Sequence, residues 1–355
     1  MYYHYAISRF DTAVIIGALG HLGTWRLTPA LTRLVSEGKV RRIIEVDIKP
    51  ESYASLHSKA FTGASYTYYQ VAEGCVLENG PITALTAIGN KTVAYVACPS
   101  EYHVLYADML RKTGCRIAVE KPLARDQLAA ETMTDWDYSC LYAVGHQLFK
   151  KEMVKALREI DSVGPQKAEG FEFNLLETSG IGERAIDNAI WDTGWHGFEV
   201  FLAMFRAAGL SAKFLISEVQ TAIYEAGNGE PCPTKHTAAR IDGYLIFKEY
   251  TIPFTIRVGK GLSFELKELV IWERHNSVRR VIPLSESGWE AHYRILNELI
   301  CAEMPDMKLS LNDVVTIVQA CSEADKRAVD QGTYAFGQTP DFLLGGCVSL
   351  PYAAA

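Results

Sequence analysis

Apolar and polar positions follow two different rhythms along the chain. From residue 13 to 146, short strand-like runs alternate with amphipathic stretches. The runs are AVIIG (13–17), RRIIEVDI (41–48), SYTYYQV (65–71), TVAYVAC (92–98), CRIAVE (115–120) and LYAVGH (141–146). TVAYVAC and CRIAVE read as parallel strands covered on both faces by helices. After the first run, Leu27, Leu31, Leu34 and Val35 recur at helical spacing, and Gly38 closes the pattern. Residues 101–114 and 126–136 read as helices, and 72–91 as a helix and a turn. This alternation predicts a doubly wound, mostly parallel sheet.

Beyond residue 146 the rhythm changes. A helix over 151–160 is stopped by Gly164-Pro165. Strand-like segments follow at 167–177, 212–226, 237–249, 251–259, 264–274 and 277–284. FEFNL and FELKELVIW alternate apolar and polar side chains, as in an antiparallel sheet with one open face. Helices are expected near 185–208, 289–303 and 311–328. The expected fold class is therefore α/β: a parallel-sheet domain over 1–146, an α+β domain with a large, open, mostly antiparallel sheet over 147–335, and a tail over 336–355.

Composition narrows the function classes. The 355 residues suffice for two domains, and 48% hydrophobic with 22% charged residues describes packed globular structure rather than disorder. A net charge of −7 disfavours nucleic acid as a partner, since a binding face would carry basic excess. No run approaches the roughly 20 apolar residues of a membrane span. The opening MYYHYAISRFD lacks a basic region followed by an apolar stretch, so no signal peptide and a cytoplasmic location are expected. Eight cysteines occur without CxxC or CxxH spacing, so reduced thiols and no metal site are expected.

Three segments carry candidate chemistry. The first is Gly17-Ala-Leu19-Gly20-His21-Leu22-Gly23, between a strand and a helix. Glycines permit the tight turn and the close approach of backbone to a pyrophosphate, which the helix N-terminus then attracts. Asp47 ends the second strand 30 residues beyond Gly17, where an acid binds a ribose hydroxyl. That favours NAD. Lys49, Arg41 and Arg42 keep NADP as the alternative. The second is Lys121, at the carboxyl end of the fifth strand beside Glu120 and Pro122. Ligands of such sheets lie outside strand carboxyl ends, and an amine there can polarise or protonate an oxygen undergoing hydride transfer. The third is the helix around Asp192 and His196, an i, i+4 pair in which a carboxylate orients an imidazole for acid–base work. Glu199 extends that face. Trp191 and Trp195 line a sugar pocket or pack in the core.

Taken together, these landmarks resemble the glucose–fructose oxidoreductase / inositol dehydrogenase family (Gfo/Idh/MocA). Cys98-Pro99-Ser-Glu-Tyr-His103 looks like its T-P-x-x-x-H segment, and Ala118–Pro122 like its E-K-P motif. Asp192-Thr-Gly-Trp-His196-Gly-Phe-Glu199 looks like D-x-G-x-H-x-x-D, with Glu199 in place of the last Asp. The resemblance implies a Rossmann domain and catalysis by Lys121, Asp192 and His196. It also implies Cys98, Pro99 and His103 beside the nicotinamide and Glu120 near the cofactor. The first turn also resembles the opening of glucose-6-phosphate dehydrogenase, and Gly145-His146-Gln-Leu-Phe-Lys150 resembles its D-H-Y-L-G-K segment, making His146 and Lys150 candidates for a sugar hydroxyl or phosphate. Thr24, Gly145 and Asp47 depart from that enzyme's pattern. The implied function is NAD(P)-dependent hydride transfer on a sugar, cyclitol or derivative, by a homodimer or homotetramer joined through the open sheet. Glucose-6-phosphate dehydrogenase-like oxidation and a non-catalytic NAD(P)-binding regulator are the alternatives.

Overall fold

A computed structural model describes residues 10–71, 89–134, 136, 141–159, 165–179, 187–225, 236–273, 279–302 and 309–345. Most of the helix and turn expected over 72–91, and the tail beyond 345, lie outside these residues. The chain divides into two compact units. The first comprises Met1–Ala124, Thr132–Phe149 and Ser287–Met307, and the second Arg125–Glu131, Lys150–Glu286 and Lys308–Ala355.

In the first unit, each apolar run becomes a strand: β1 (Thr12–Ile16), β2 (Arg42–Asp47), β3 (Ser65–Gln70), β4 (Thr92–Val96), β5 (Arg116–Glu120) and β6 (Leu141–Val144). All pair in parallel, in the order β3-β2-β1-β4-β5-β6. The order reverses direction between β1 and β4, so the carboxyl ends of those strands flank the crevice where ligands bind in open α/β sheets. Helices α1 (Thr28–Ser36), α2 (Ser55–Ala60) and α3 (His103–Arg111) connect the strands. β1, β4 and β5 are buried along their whole length, which is why their sequences show no polar alternation.

Two further helices, α4 (Gln127–Met133) and α5 (Lys151–Arg158), precede the second sheet. That sheet holds seven strands: β7 (Ala168–Leu176), β8 (Lys213–Glu225), β9 (Ala238–Phe247), β10 (Tyr250–Gly259), β11 (Leu266–Glu273), β12 (Arg279–Pro283) and β13 (Ala328–Ala335). Their order is β12-β11-β7-β10-β9-β8-β13. Four of the six pairings are antiparallel, and β7–β10 and β8–β13 are parallel. Helix α6 (Trp195–Ala207) is buried along nearly its whole length. Its Phe198, Phe201 and Phe205 interlock with Phe171, Phe214, Phe247 and Phe254 of the sheet, with ring centroids 4.8–6.2 Å apart. Burying each such ring contributes on the order of 2–3 kcal/mol.

Helix α7 (Gly288–Cys301) belongs to the first unit, although it follows β7–β12 of the second sheet in sequence. Its Ile295, Leu296, Leu299 and Ile300 join Leu27, Leu31 and Leu34 in one core. Arg116 closes its end by donating to Leu299 O and Ala302 O at 2.6 and 2.7 Å, a cation placed at the negative pole of a helix. The chain then forms α8 (Leu311–Arg327), started by a capping box between Ser310 and Asp313, and a short α9 (Asp341–Leu344). Among the described residues, no helix is long and apolar enough to cross a membrane.

Candidate functional site

The glycine turn has the shape its sequence requires. Gly17 takes φ +81°, and a Cβ there would stand 2.7 Å from Cys98 N and 2.8 Å from the Ala97 carbonyl. A Cβ on Gly23 would overlap Ala18 O. The segment after Gly20 is helical, with a π-type turn over Gly23–Leu27, and Thr24 N–H donates to Gly20 O at 2.9 Å. A helix N-terminus therefore faces outward at the carboxyl end of β1, carrying Leu19, His21 and Leu22 around it. Asp47 ends β2 as expected. Its carboxylate braces the turn, accepting from Leu19 N–H at 2.8 Å and Lys49 N–H at 3.1 Å. Lys49 Nζ donates in turn to Leu19 O at 2.5 Å.

Cys98 and Pro99 follow β4, Lys121 follows β5 and His146 follows β6, all at the same edge of the parallel sheet. Burial pushes the Cys98 thiol up to about 12, so it is a neutral wall rather than a nucleophile. His103 is buried, with Nδ1 2.8 Å from Pro122 O and Nε2 2.8 Å from Cys98 O. It thereby ties the segment after β4 to the one after β5. The Lys121–Pro122 peptide is cis.

Glu120 is buried, and its partners come from three elements. Tyr95 O–H donates to Oε1 at 2.7 Å, His292 Nε2 lies 3.0 Å from Oε1, and Lys121 N–H donates to Oε2 at 3.1 Å. Burial alone would push this carboxyl up. The His292 hydrogen bond and charge, the Lys121 charge and the Tyr95 hydrogen bond outweigh it and hold Glu120 down at about 2. The His146 ring stacks on His292 with centroids 5.3 Å apart.

In the second unit, His196 is buried in the first turn of α6, with Nδ1 3.1 Å from Glu199 Oε2. Asp192 sits on a π-type turn, Ile190–Gly194, and accepts from Lys260 Nζ at 2.5 Å. Burial would lower the Lys260 amine, but Asp192 overrides it and holds it above its ordinary value. Each member of the expected i, i+4 pair thus has a carboxylate or amine partner outside the pair. Trp191 and Trp195 are both buried. Lys150 is buried and its amine donates to Leu284 O. Sequence reasoning missed Lys260, at the end of β10 between two glycines, and His292, whose only local signal is a histidine on an amphipathic helix.

No family model and no curated protein matches the chain in sequence. Solved structures match its fold. Glucose-6-phosphate 1-dehydrogenase from Mycobacterium avium aligns at 15% identity over 98% of this chain and 100% of that one, with a TM-score of 0.68. UDP-N-acetylglucosamine 3-dehydrogenase from Acidithiobacillus ferrooxidans aligns at 14% identity over 90% and 98%, with a TM-score of 0.61. A variant of KijD10, a 3-ketoreductase from Actinomadura kijaniata in complex with TDP-benzene and NADP, aligns at 14% over 91% and 99%, with a TM-score of 0.58. At these identities the likeness is one of fold.

Proposed function

We propose that this chain is an NAD(P)-dependent oxidoreductase acting on a hydroxyl or keto group of a sugar, cyclitol or sugar derivative. The observation that carries this reading is the glycine turn. At the carboxyl end of β1, and next to the point where strand order reverses, main chain packs where any Cβ would collide. That cradle and the helix after it fit a dinucleotide pyrophosphate. Gly17, Leu19, Gly20, His21 and Leu22 would hold the pyrophosphate and Asp47 the adenosine ribose, with NAD favoured over NADP. Cys98, Pro99, His103, Glu120 and Lys121 would border the nicotinamide.

When bound, the nicotinamide supplies the hydride acceptor or donor. The chain's own residues do the rest. Lys121 holds the developing alkoxide through its positive charge. His196, oriented by Asp192 and Glu199, takes the hydroxyl proton in the oxidative direction, or Lys121 does so. Asp192 binds a substrate hydroxyl, with Lys260 fixing its charge. The fold likeness to glucose-6-phosphate 1-dehydrogenase, UDP-N-acetylglucosamine 3-dehydrogenase and a 3-ketoreductase solved with NADP supports this substrate class. Phosphorylated sugars are the second reading, favoured by the cations Lys150 and Lys260 and by fold agreement over the full length of a glucose-6-phosphate dehydrogenase. Partly exposed Leu215 and Ile246 on the second sheet support association of copies through that sheet.

The test is cofactor reduction over a panel of sugars, cyclitols, sugar phosphates and nucleotide sugars, with NAD and NADP. Turnover by the wild-type chain, lost in Lys121→Ala and His196→Ala with dinucleotide binding intact, is expected. Dinucleotide binding without turnover on any member would instead favour a regulator. Absence of dinucleotide binding would refute the reading outright.

A further inference from the structure

His292, on the helix that returns to the first unit, has no part in the reaction described above. It is buried among polar partners. Its Nδ1 lies 2.6 Å from Gly288 O, one turn back, and its Nε2 lies 3.0 Å from Glu120 Oε1. A neutral imidazole has one N–H and can serve only one of two oxygen acceptors. The form that donates at both positions is the imidazolium, so the geometry is that of a buried ion pair with Glu120. The carboxylate is then fully directed: Oε1 toward His292 and Tyr95 O–H, Oε2 toward the Lys121 N–H.

We propose that His292 is a positioning residue for Lys121. It holds Glu120 in the orientation in which Oε2 takes up the Lys121 main-chain N–H, and so fixes where the lysine departs from β5. His103 holds the following residue through Pro122 O. Two imidazoles, from α7 and α3, thus brace the segment on either side of Lys121. His146, stacked on the same ring, is backed by it too. This inference rests on the assignment of Lys121 to the reacting oxygen. Glu120, His146 and His292 also offer metal-ligand atoms within 4.8 Å of one another. The donors around Glu120 favour the ion pair: Tyr95 O–H and Lys121 N–H both direct hydrogens at the carboxylate, as a lone anion needs.

The experiment uses the full chain with His292→Gln, Glu120→Gln, the double variant and Tyr95→Phe, each verified as folded by circular dichroism. For His292→Gln, kcat should fall about 10- to 100-fold, the scale of a misplaced catalytic group, while KM and dinucleotide Kd stay within about twofold. The double variant should lose no more than either single variant, because both act through one peptide. Tyr95→Phe, which keeps the ring, should give a smaller loss of the same type. A second readout needs no turnover: hydrogen exchange at the Lys121 amide should accelerate about tenfold in His292→Gln, with the amides of Ala118 and Val119 unchanged. Wild-type kcat in folded His292→Gln, additive losses in the double variant, or an unchanged Lys121 amide would overturn the proposal. So would stoichiometric binding of zinc chloride to the wild type that His292→Gln abolishes, for the residues would then be ligands. Lys121→Ala separates the two layers. If it retains turnover, the lysine assignment fails. If it abolishes turnover and His292→Gln does not, only the positioning role fails.

Discussion

Replacing Gly17 by alanine tests the tightest approach in the first unit. The residue sits at φ +81°, where an L side chain is strained by about 1 kcal/mol. The new Cβ would meet Cys98 N at 2.7 Å and the Ala97 carbonyl at 2.8 Å, and these are main-chain atoms that no rotamer change can move aside. Relief requires the ends of β1 and β4 to separate. That strains Ala97 N–H to Ile16 O across β4 and β1, and the shift of Gly17 strains its own N–H to Val46 O of β2, both 2.8 Å long. At about 1 kcal/mol each, the total comes to about 3 kcal/mol. For a unit of this size, calorimetry should then show the first unit's transition falling by roughly 6–12 °C. Gly38→Ala is the control. Its φ is +71°, but nothing lies within 4 Å of the added carbon, so only the conformational cost of about 1 kcal/mol applies and the fall should be roughly 2–4 °C. Equal shifts in the two variants would refute the close approach, and with it the cradle on which dinucleotide binding is argued.

Gly197→Ala places a Cβ 2.7 Å from Ile256 Cδ1 and Cγ1, overpacking α6 against β10 at a cost of about 1–3 kcal/mol. Ile256→Val removes the Cδ1 atom, so urea unfolding of the double variant should show less loss than the sum of the singles, and strict additivity would show that the two side chains do not touch. Glu120 titrates near 2 in the folded chain, below its ordinary 4.5. A carboxyl depressed by folding contributes stability above the unfolded value, and that stability drains away as pH falls from about 4.5 toward 2. The sum is on the order of 3 kcal/mol. Glu120→Gln should therefore flatten the acid limb of stability against pH, and an unaltered acid limb would mean that the carboxylate is not paired.

The parallel sheet was legible because its central strands are buried on both faces, so β1, β4 and β5 appear as short apolar runs without polar alternation. β13 was not. AVDQGTYA is an edge strand with only Tyr334 buried, and its polar surface reads as the tail of the preceding helix. It exists because β8 offers a parallel partner, which is information held in another segment. The candidate site divides along the same line. Gly17, Asp47 and Lys121 lie at strand ends, where the local pattern fixes their place. Glu120 and Asp192 also lay in readable motifs, but their partners His292 and Lys260 are 172 and 68 residues away. Burial and charge compensation couple such positions, and neither leaves a periodicity in sequence. Spacing placed Asp192 and His196 one turn apart, and hydrogen bonds give each a further partner, Glu199 for His196 and Lys260 for Asp192.

The excursion of the chain between Phe149 and Ser287 has a bearing on synthesis. The first six strands emerge from the ribosome early, yet the helix that covers α1 and pairs with Glu120 is translated only after six strands of the second sheet. Until then the nascent parallel sheet keeps an apolar flank open and an acid without its counter-ion. A gene fragment ending near codon 149 would encode every strand of that sheet and still yield an incompletely closed protein.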